Sequence, residues 1–212
     1  MGKKWIWLPD WAFDLSLWED DLEMVDDEAS HVFVPYEMLA EKLGNPYGIA
    51  GLKNADVVVG SGLGAFSLLL SHRLKPMNQK WILLSPFADF CDEAGPWNSE
   101  NLLFKARKME ASFDVVLDAF REVFAGENSD WPEEWEAAAR KMSKSTLSTG
   151  LRFLVENKLT EKVEDSANMQ VVYGLLDNDV PPSVTLRLKE FLPEAVFRSR
   201  SKAGHWPPML LL

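Results

Sequence analysis

Six short runs of the chain stand out, most of them almost wholly apolar: residues 5–8, 31–35, 56–59, 81–85, 169–173 and 195–200. Runs of that length without polar alternation suit parallel strands buried on both faces. Between them, residues 15–25, 36–43, 65–73 and 184–191 carry apolar positions at helical spacing, the last after Pro181-Pro182, which fits a loop and a first helical turn. Strand and helix patterns in alternation predict an α/β fold, a mostly parallel sheet of about six strands with helices on both faces. Residues from about 90 to 165 break the alternation. They hold no convincing strand but show helical patterns at 101–124, 132–142 and 145–157, so residues 91–165 read as a helical cap inserted into a core formed by 1–90 and 166–212. Gly95-Pro96-Trp97 and the polar run 161–168 mark its ends. Its aromatic and methionine side chains, from Phe104 through Met109, Phe113, Phe120, Trp131 and Trp135 to Phe153, are expected to pack the cap onto the sheet and to line an apolar pocket above the site described next.

Composition narrows the class without naming a chemistry. With 212 residues and 47% apolar content, one compact domain is expected. A net charge of -11 argues against nucleic acid or an anionic membrane as the general partner. Cys91 alone cannot form an internal disulfide, and the apolar run after Met1-Gly2-Lys3-Lys4 is too short for a signal peptide, so a soluble cytoplasmic protein is expected. His31, His72 and His205 stand far apart without metal-ligand spacing; neither a metal nor a cofactor is implied.

The chemistry-bearing stretch is Val57-Val58-Val59-Gly60-Ser61-Gly62-Leu63-Gly64, an apolar strand running through a glycine-framed turn into an apolar helix start. In a nucleophile elbow the attacking residue sits at the tip of a strained turn, and the positions two before and two after it must be small for strand and helix to approach. Only position 62 is flanked in that way, by Gly60 and Gly64, and it is itself glycine. Ser61 has Val59 and Leu63 as its flanks and is one residue out of register. Glycine at such a turn relieves roughly 1 kcal/mol of backbone strain that a serine would bear. Two further strand ends carry acid and base candidates: Asp177 after Tyr173-Gly174, with Asp179 as a rival two residues on, and His205 within Ala203-Gly204-His205.

Elbow, acid and histidine in that chain order, each after a strand, resemble the α/β-hydrolase family over nearly the whole chain. Leu8-Pro9-Asp10-Trp11-Ala12-Phe13-Asp14 followed by Trp18 is similar to the family's oxyanion loop. Residues Thr149-Gly150-Leu151-Arg152-Phe153-Leu154, with Tyr173-Gly174-x-Leu176-Asp177-x-x-Val180-Pro181, resemble the biotin-synthesis carboxylesterases, which cleave the methyl ester of pimeloyl-acyl carrier protein. The resemblance implies Gly62 at the nucleophile position with its serine missing, Asp177 as the acid, His205 as the general base, and the backbone N–H groups of Trp11 and Leu63 as the oxyanion hole. Two departures disable the pattern. Gly62 offers no attacking oxygen, and Asp10 stands where glycine is usual, placing a carboxylate against charge that would build on a carbonyl oxygen.

Three functions follow. The first is a carboxylic ester hydrolase of the biotin-synthesis type, inactive as written because its serine is gone. The second is a non-catalytic relative that binds an acyl ligand or a partner, and the third uses only the His205/Asp177 pair as a general base. The implied partners are a small acyl ester or an acyl carrier protein, received by the cap's basic residues Lys105, Arg107, Lys108, Arg140, Lys141, Lys144 and Arg152. The oligomeric state stays open. The chain departs from the family pattern in ending at Pro207 to Leu212, too short for the usual closing helix, and its apolar tail, costly to expose, is expected to pack against the body or a partner subunit.

Overall fold

The computed structural model describes residues 2–125 and 133–211. Its sheet has six strands, β1 (Lys4–Leu8), β2 (Ser30–Phe33), β3 (Val57–Ser61), β4 (Lys80–Leu84), β5 (Met169–Gly174) and β6 (Val196–Arg200). They lie in the order β2-β1-β3-β4-β5-β6, and every neighbouring pair is parallel. All six expected strands are therefore present, with ends shifted by one or two residues. The central ones are continuous apolar runs because alternate side chains enter two different cores. Ile6, Leu8, Val58, Trp81, Leu83 and Val171 face one, while Trp5, Trp7, Val57, Val59, Ile82, Leu84 and Val172 face the other. Trp7 and Trp81 are fully buried on opposite faces. Each removes about 200 Å² from water, about 5 kcal/mol gross at 25 cal/mol per Å². The outer strands β2 and β6 have one open side and alternate exposed with half-buried positions.

Helices α1 (Glu19–Glu23), α2 (Tyr36–Ala40), α3 (Leu63–Leu70), α4 (Ser99–Lys108), α5 (Phe113–Ala125), α6 (Glu133–Ala139), α7 (Lys144–Glu156), α8 (Pro182–Leu186) and α9 (Pro207–Leu211) complete the order. Of these, α4 to α7 fall between β4 and β5. The pattern at 101–124 is not one helix. A straight helix of that length would run about 36 Å, and the break at Met109 lets Leu102 and Ala106 on α4, Met109 at its end, and Val116, Leu117 and Phe120 on α5 enter the same core. Trp131, Pro132 and the side chain of Phe124 lie outside the described residues. The apolar chain end packs against the body, one of the two outcomes expected of it. Residues 207–211 form a short helix beside α1, with Leu210 fully buried and its carbonyl, with that of Leu211, accepting from the Arg200 guanidinium. Among the described residues, no helix is long and apolar enough to cross a membrane.

Candidate functional site

The strand order places β2 on one side of β1 and β3 on the other, so the chain reverses its winding between β1 and β3. At such a switch point the loops leaving the carboxyl ends of the two strands diverge and open a crevice. Asp10 leaves β1 there, and Gly62 leaves β3 opposite it. The loops after β5 and β6 bring Asp177, Asp179 and His205 to the same end of the sheet, and Ser85 follows β4.

The turn at Gly62 is built as the glycine pattern demands. Gly62 has φ 41° and ψ -105°, at the amino end of α3. A Cβ on Gly60 would stand 2.7 Å from the Ala65 backbone, and one on Gly64 would stand 2.7 Å from the Leu8 carbonyl oxygen, so neither neighbour tolerates a side chain. A Cβ on Gly62 meets a different obstacle, because it would overlap the carboxyl group of Asp10. That carboxylate fills the nucleophile's space. Its Oδ1 accepts from the backbone N–H of Trp11 at 2.6 Å and of Leu63 at 2.7 Å, the two groups expected to form the oxyanion hole, and its Oδ2 lies 2.7 Å from His205 Nε2. Leu63 is the first residue of α3, so Asp10 also caps a helix whose own N-cap residue is a glycine.

His205 Nδ1 lies 2.9 Å from Asp177 Oδ2. Asp177 is held in turn by the Ser85 hydroxyl, donating at 2.6 Å, and by the Val180 N–H at 2.8 Å. Of the two candidate acids, Asp177 meets Nδ1, whereas Asp179 approaches from the other side, with Oδ2 3.8 Å from Nε2 and Oδ1 accepting from Trp97 Nε1 at 2.8 Å. Ser85, which no sequence motif marked, takes φ 44°, and Ala12 beside the oxyanion loop takes φ 60°. Left-handed backbone at non-glycine residues costs about 1–3 kcal/mol each, so both ends of the cluster hold strained loops.

All of this is buried: His205 is 0% exposed, Asp177 2%, Asp179 5% and Asp10 7%. Burial alone would lower the His205 pKa, but the Asp177 charge, the hydrogen bonds to Asp10 and Asp177 and the Asp179 charge outweigh it and hold it well above the usual histidine value. The imidazolium therefore donates from both nitrogens and has no lone pair with which to accept a proton. Burial, reinforced by Asp177 and Asp10 and opposed by His205 and the Trp97 hydrogen bond, pushes Asp179 up to about 8. The two other histidines lie elsewhere: His31 accepts from Trp7 Nε1, and His72 follows α3 on the far side of the sheet end.

Above the cluster the cap is closed by stacked rings. Phe120 lies between Trp11, at 4.2 Å between centroids, and Trp97, at 4.4 Å, while Phe13 covers His205 at 5.9 Å. Trp11 Nε1 donates to the Leu147 carbonyl and Tyr36 Oη to that of Thr146, pinning α7 to the loops after β1 and β2. Cavities of about 310 to 540 Å³ lie elsewhere among the described residues, and neither Asp10, Gly62 nor His205 lines any of these. Phe104 is 56% exposed instead of lining a chamber, and Phe153 packs on Phe66. Within the basic cluster, Arg140 is spent on Asp114 and Glu136, and Lys105 lies over Trp97, whereas Arg107 and Arg152 line a 450 Å³ groove with Ser145, Ser148 and Thr149.

No protein-family model and no curated protein matches the sequence. Solved structures do match. An esterase from Exiguobacterium antarcticum superposes with a TM-score of 0.73 at 15% identity, over 96% of this chain and 85% of the other. A thermophilic esterase from Thermogutta terrifontis gives 0.68 at 18% identity, over 99% and 85%. The enol-lactonase from Burkholderia xenovorans gives 0.64 at 14% identity, over 97% and 85%. With the six-stranded parallel sheet, these likenesses establish the α/β-hydrolase fold; at such identities they carry the fold and not the activity.

Proposed function

We propose that this chain is a non-catalytic member of the hydrolase fold, in which Asp10 has taken the places of both the nucleophile and the reacting carbonyl oxygen. The observation that carries the reading is one carboxylate engaged on all sides: its Oδ1 takes both oxyanion-hole N–H groups, and its Oδ2 takes His205 Nε2. An ester carbonyl would have to displace a charged, hydrogen-bonded oxygen from the hole, and a substrate hydroxyl or water would find no accepting nitrogen on His205. The same two facts weigh against ester hydrolysis of the biotin-synthesis type and against general-base chemistry by His205 and Asp177 alone. Binding is what the scaffold retains. An acyl carrier protein, being acidic, would meet the cap at the groove of Arg107 and Arg152 between α4 and α7.

The test restores both missing features. Gly62→Ser alone is expected to stay inactive, since its Cβ overlaps Asp10. Asp10→Gly with Gly62→Ser frees the hole and supplies the hydroxyl, and a fluorophosphonate probe should then label residue 62, with labelling lost on adding His205→Ala. The unaltered chain should leave p-nitrophenyl acetate at its background rate. Ester turnover by the unaltered chain that disappears in Asp10→Asn would overturn the reading.

A further inference from the structure

The Asp10 carboxylate brings a third kind of group to the cluster. His205 Nε2, Asp10 Oδ2 and one carboxylate oxygen of Asp179 converge from the loops after β6, β1 and β5, all within 4.8 Å of one another and all buried. One imidazole and two carboxylates form a donor set that suits a divalent first-row ion. What distinguishes this set from three polar groups that happen to meet is the treatment of the atoms facing away. Asp10 Oδ1 is fixed by the Trp11 and Leu63 N–H groups, Asp179 Oδ1 by Trp97 Nε1, and His205 Nδ1 by Asp177. These bonds each hold an outer atom, while the three inner atoms lie within reach of one another. A carboxylate on the far nitrogen of a ligating histidine is the usual outer support of a zinc site. Three buried carboxyl groups thus surround a single imidazole.

We infer that Asp10, Asp179 and His205 form a binding site for a divalent zinc-type ion, with Asp177 as the residue that positions the imidazole. The inference rests on the reading of Asp10 as the group that fills the elbow, and it gives that carboxylate a ligand. With metal–ligand bonds of about 2.0–2.1 Å in tetrahedral geometry, donor atoms stand roughly 3.3 Å apart. Against that spacing, Asp10 Oδ2 and Nε2 at 2.7 Å open by roughly 0.6 Å, and Asp179 Oδ2 and Nε2 at 3.8 Å close by roughly 0.5 Å. The ion takes the place of the proton shared by Nε2 and Asp10. That proton and the one held by the Asp179 carboxyl leave for solvent, and Nε2 and one oxygen each of Asp10 and Asp179 donate lone pairs to the metal. A bare ion also suits a site covered by the Trp11, Phe120 and Trp97 rings.

The experiment uses the full chain, stripped with a chelator and then incubated with ZnCl₂ or CoCl₂. One equivalent of zinc should remain after gel filtration and raise the thermal midpoint by several degrees, an effect reversed by a chelator. Cobalt should give visible d–d absorption of a low-coordinate site. Calorimetry in two buffers of different ionisation enthalpy should show proton release. Asp179→Asn should weaken zinc binding at least tenfold and Asp177→Asn by about 10–100-fold, while His72→Asn should leave it unchanged. Less than 0.1 equivalent retained, with no midpoint shift and no cobalt spectrum in the unaltered chain, would overturn the inference, and so would zinc binding lost in His72→Asn but kept in Asp179→Asn. Should Asp179→Asn fail to fold, the stoichiometry and cobalt spectrum of the unaltered chain decide. A null zinc result beside probe labelling of the Asp10→Gly, Gly62→Ser variant removes the metal and leaves the non-catalytic reading standing, whereas ester turnover by the unaltered, zinc-free chain removes that reading.

Discussion

Asp10 answers three demands at once: it caps α3, it supplies acceptors to two inward-pointing N–H groups, and it neutralises a buried imidazolium. Truncating it takes the carboxylate away from both N–H groups and from His205 Nε2, and breaking a buried charged network from one side costs about 3–5 kcal/mol. Asp10→Ala is therefore expected to lower the unfolding free energy by about that amount in urea denaturation, unlike substitution of an exposed carboxylate such as Glu93, which should stay within about 0.5 kcal/mol. An Asp10→Ala chain as stable as the parent would mean that water replaces the carboxylate without loss. Gly62 and Asp10 share one volume, so their substitutions are expected to couple: Gly62→Ser should be less destabilising in an Asp10→Gly background than alone.

At the level of elements, α5 and α7 decide whether anything can reach the cluster. Phe120 on α5 is the middle ring of a three-ring stack, and Leu147 on α7 receives the Trp11 indole N–H. Phe120→Ala should cost about 3–5 kcal/mol, because the rings on either side are fixed by their own hydrogen bonds and cannot collapse into the space. It should also make room directly over Asp10. Urea denaturation measures the first effect, and quenching of Trp11 and Trp97 fluorescence by acrylamide, stronger in Phe120→Ala than in the parent, measures the second. A loss below about 1 kcal/mol with unchanged quenching would show that the cap closes by another route.

For the molecule as a whole, the cluster ties global stability to pH. Asp179, held at about 8 in the fold, keeps its proton through the window where an unfolded aspartate, titrating near 4, has lost it. The folded state then binds more protons, so stability falls as pH rises from about 4 to 8, by up to about 1.4 kcal/mol per unit. His205 acts in the same sense: its raised value contributes stability that is complete below the unfolded histidine value and is lost as pH rises through the folded one. In chelator-treated, metal-free buffer, the stability difference between the parent and Asp179→Asn should therefore shrink from pH 5 through 6.5 to 8 in urea denaturation. A difference independent of pH would show that Asp179 is not the titrating group.

How far the sequence reaches follows from the range of the forces involved. Strand positions, their parallel pairing and the glycine frame of the elbow were legible because apolar runs, helical spacing and the need for small residues at 60 and 64 are local constraints written into consecutive residues. The pairing of Asp177 with His205 was expected from the resemblance, each following a strand end, while the strand order that brings them together comes from the structure. Asp10 was visible as a carboxylate out of place, but its local sequence does not say that its side chain turns inward across 53 residues to Leu63 and 195 to His205. Nor does local pattern show Ser85 beneath Asp177, the packing of Phe120 between Trp11 and Trp97, or the meeting of one histidine with two aspartates where histidine spacing alone gave no metal site. Those are contacts between side chains of separate loops, and only the packed sheet, by fixing where each loop begins, decided which of them meet.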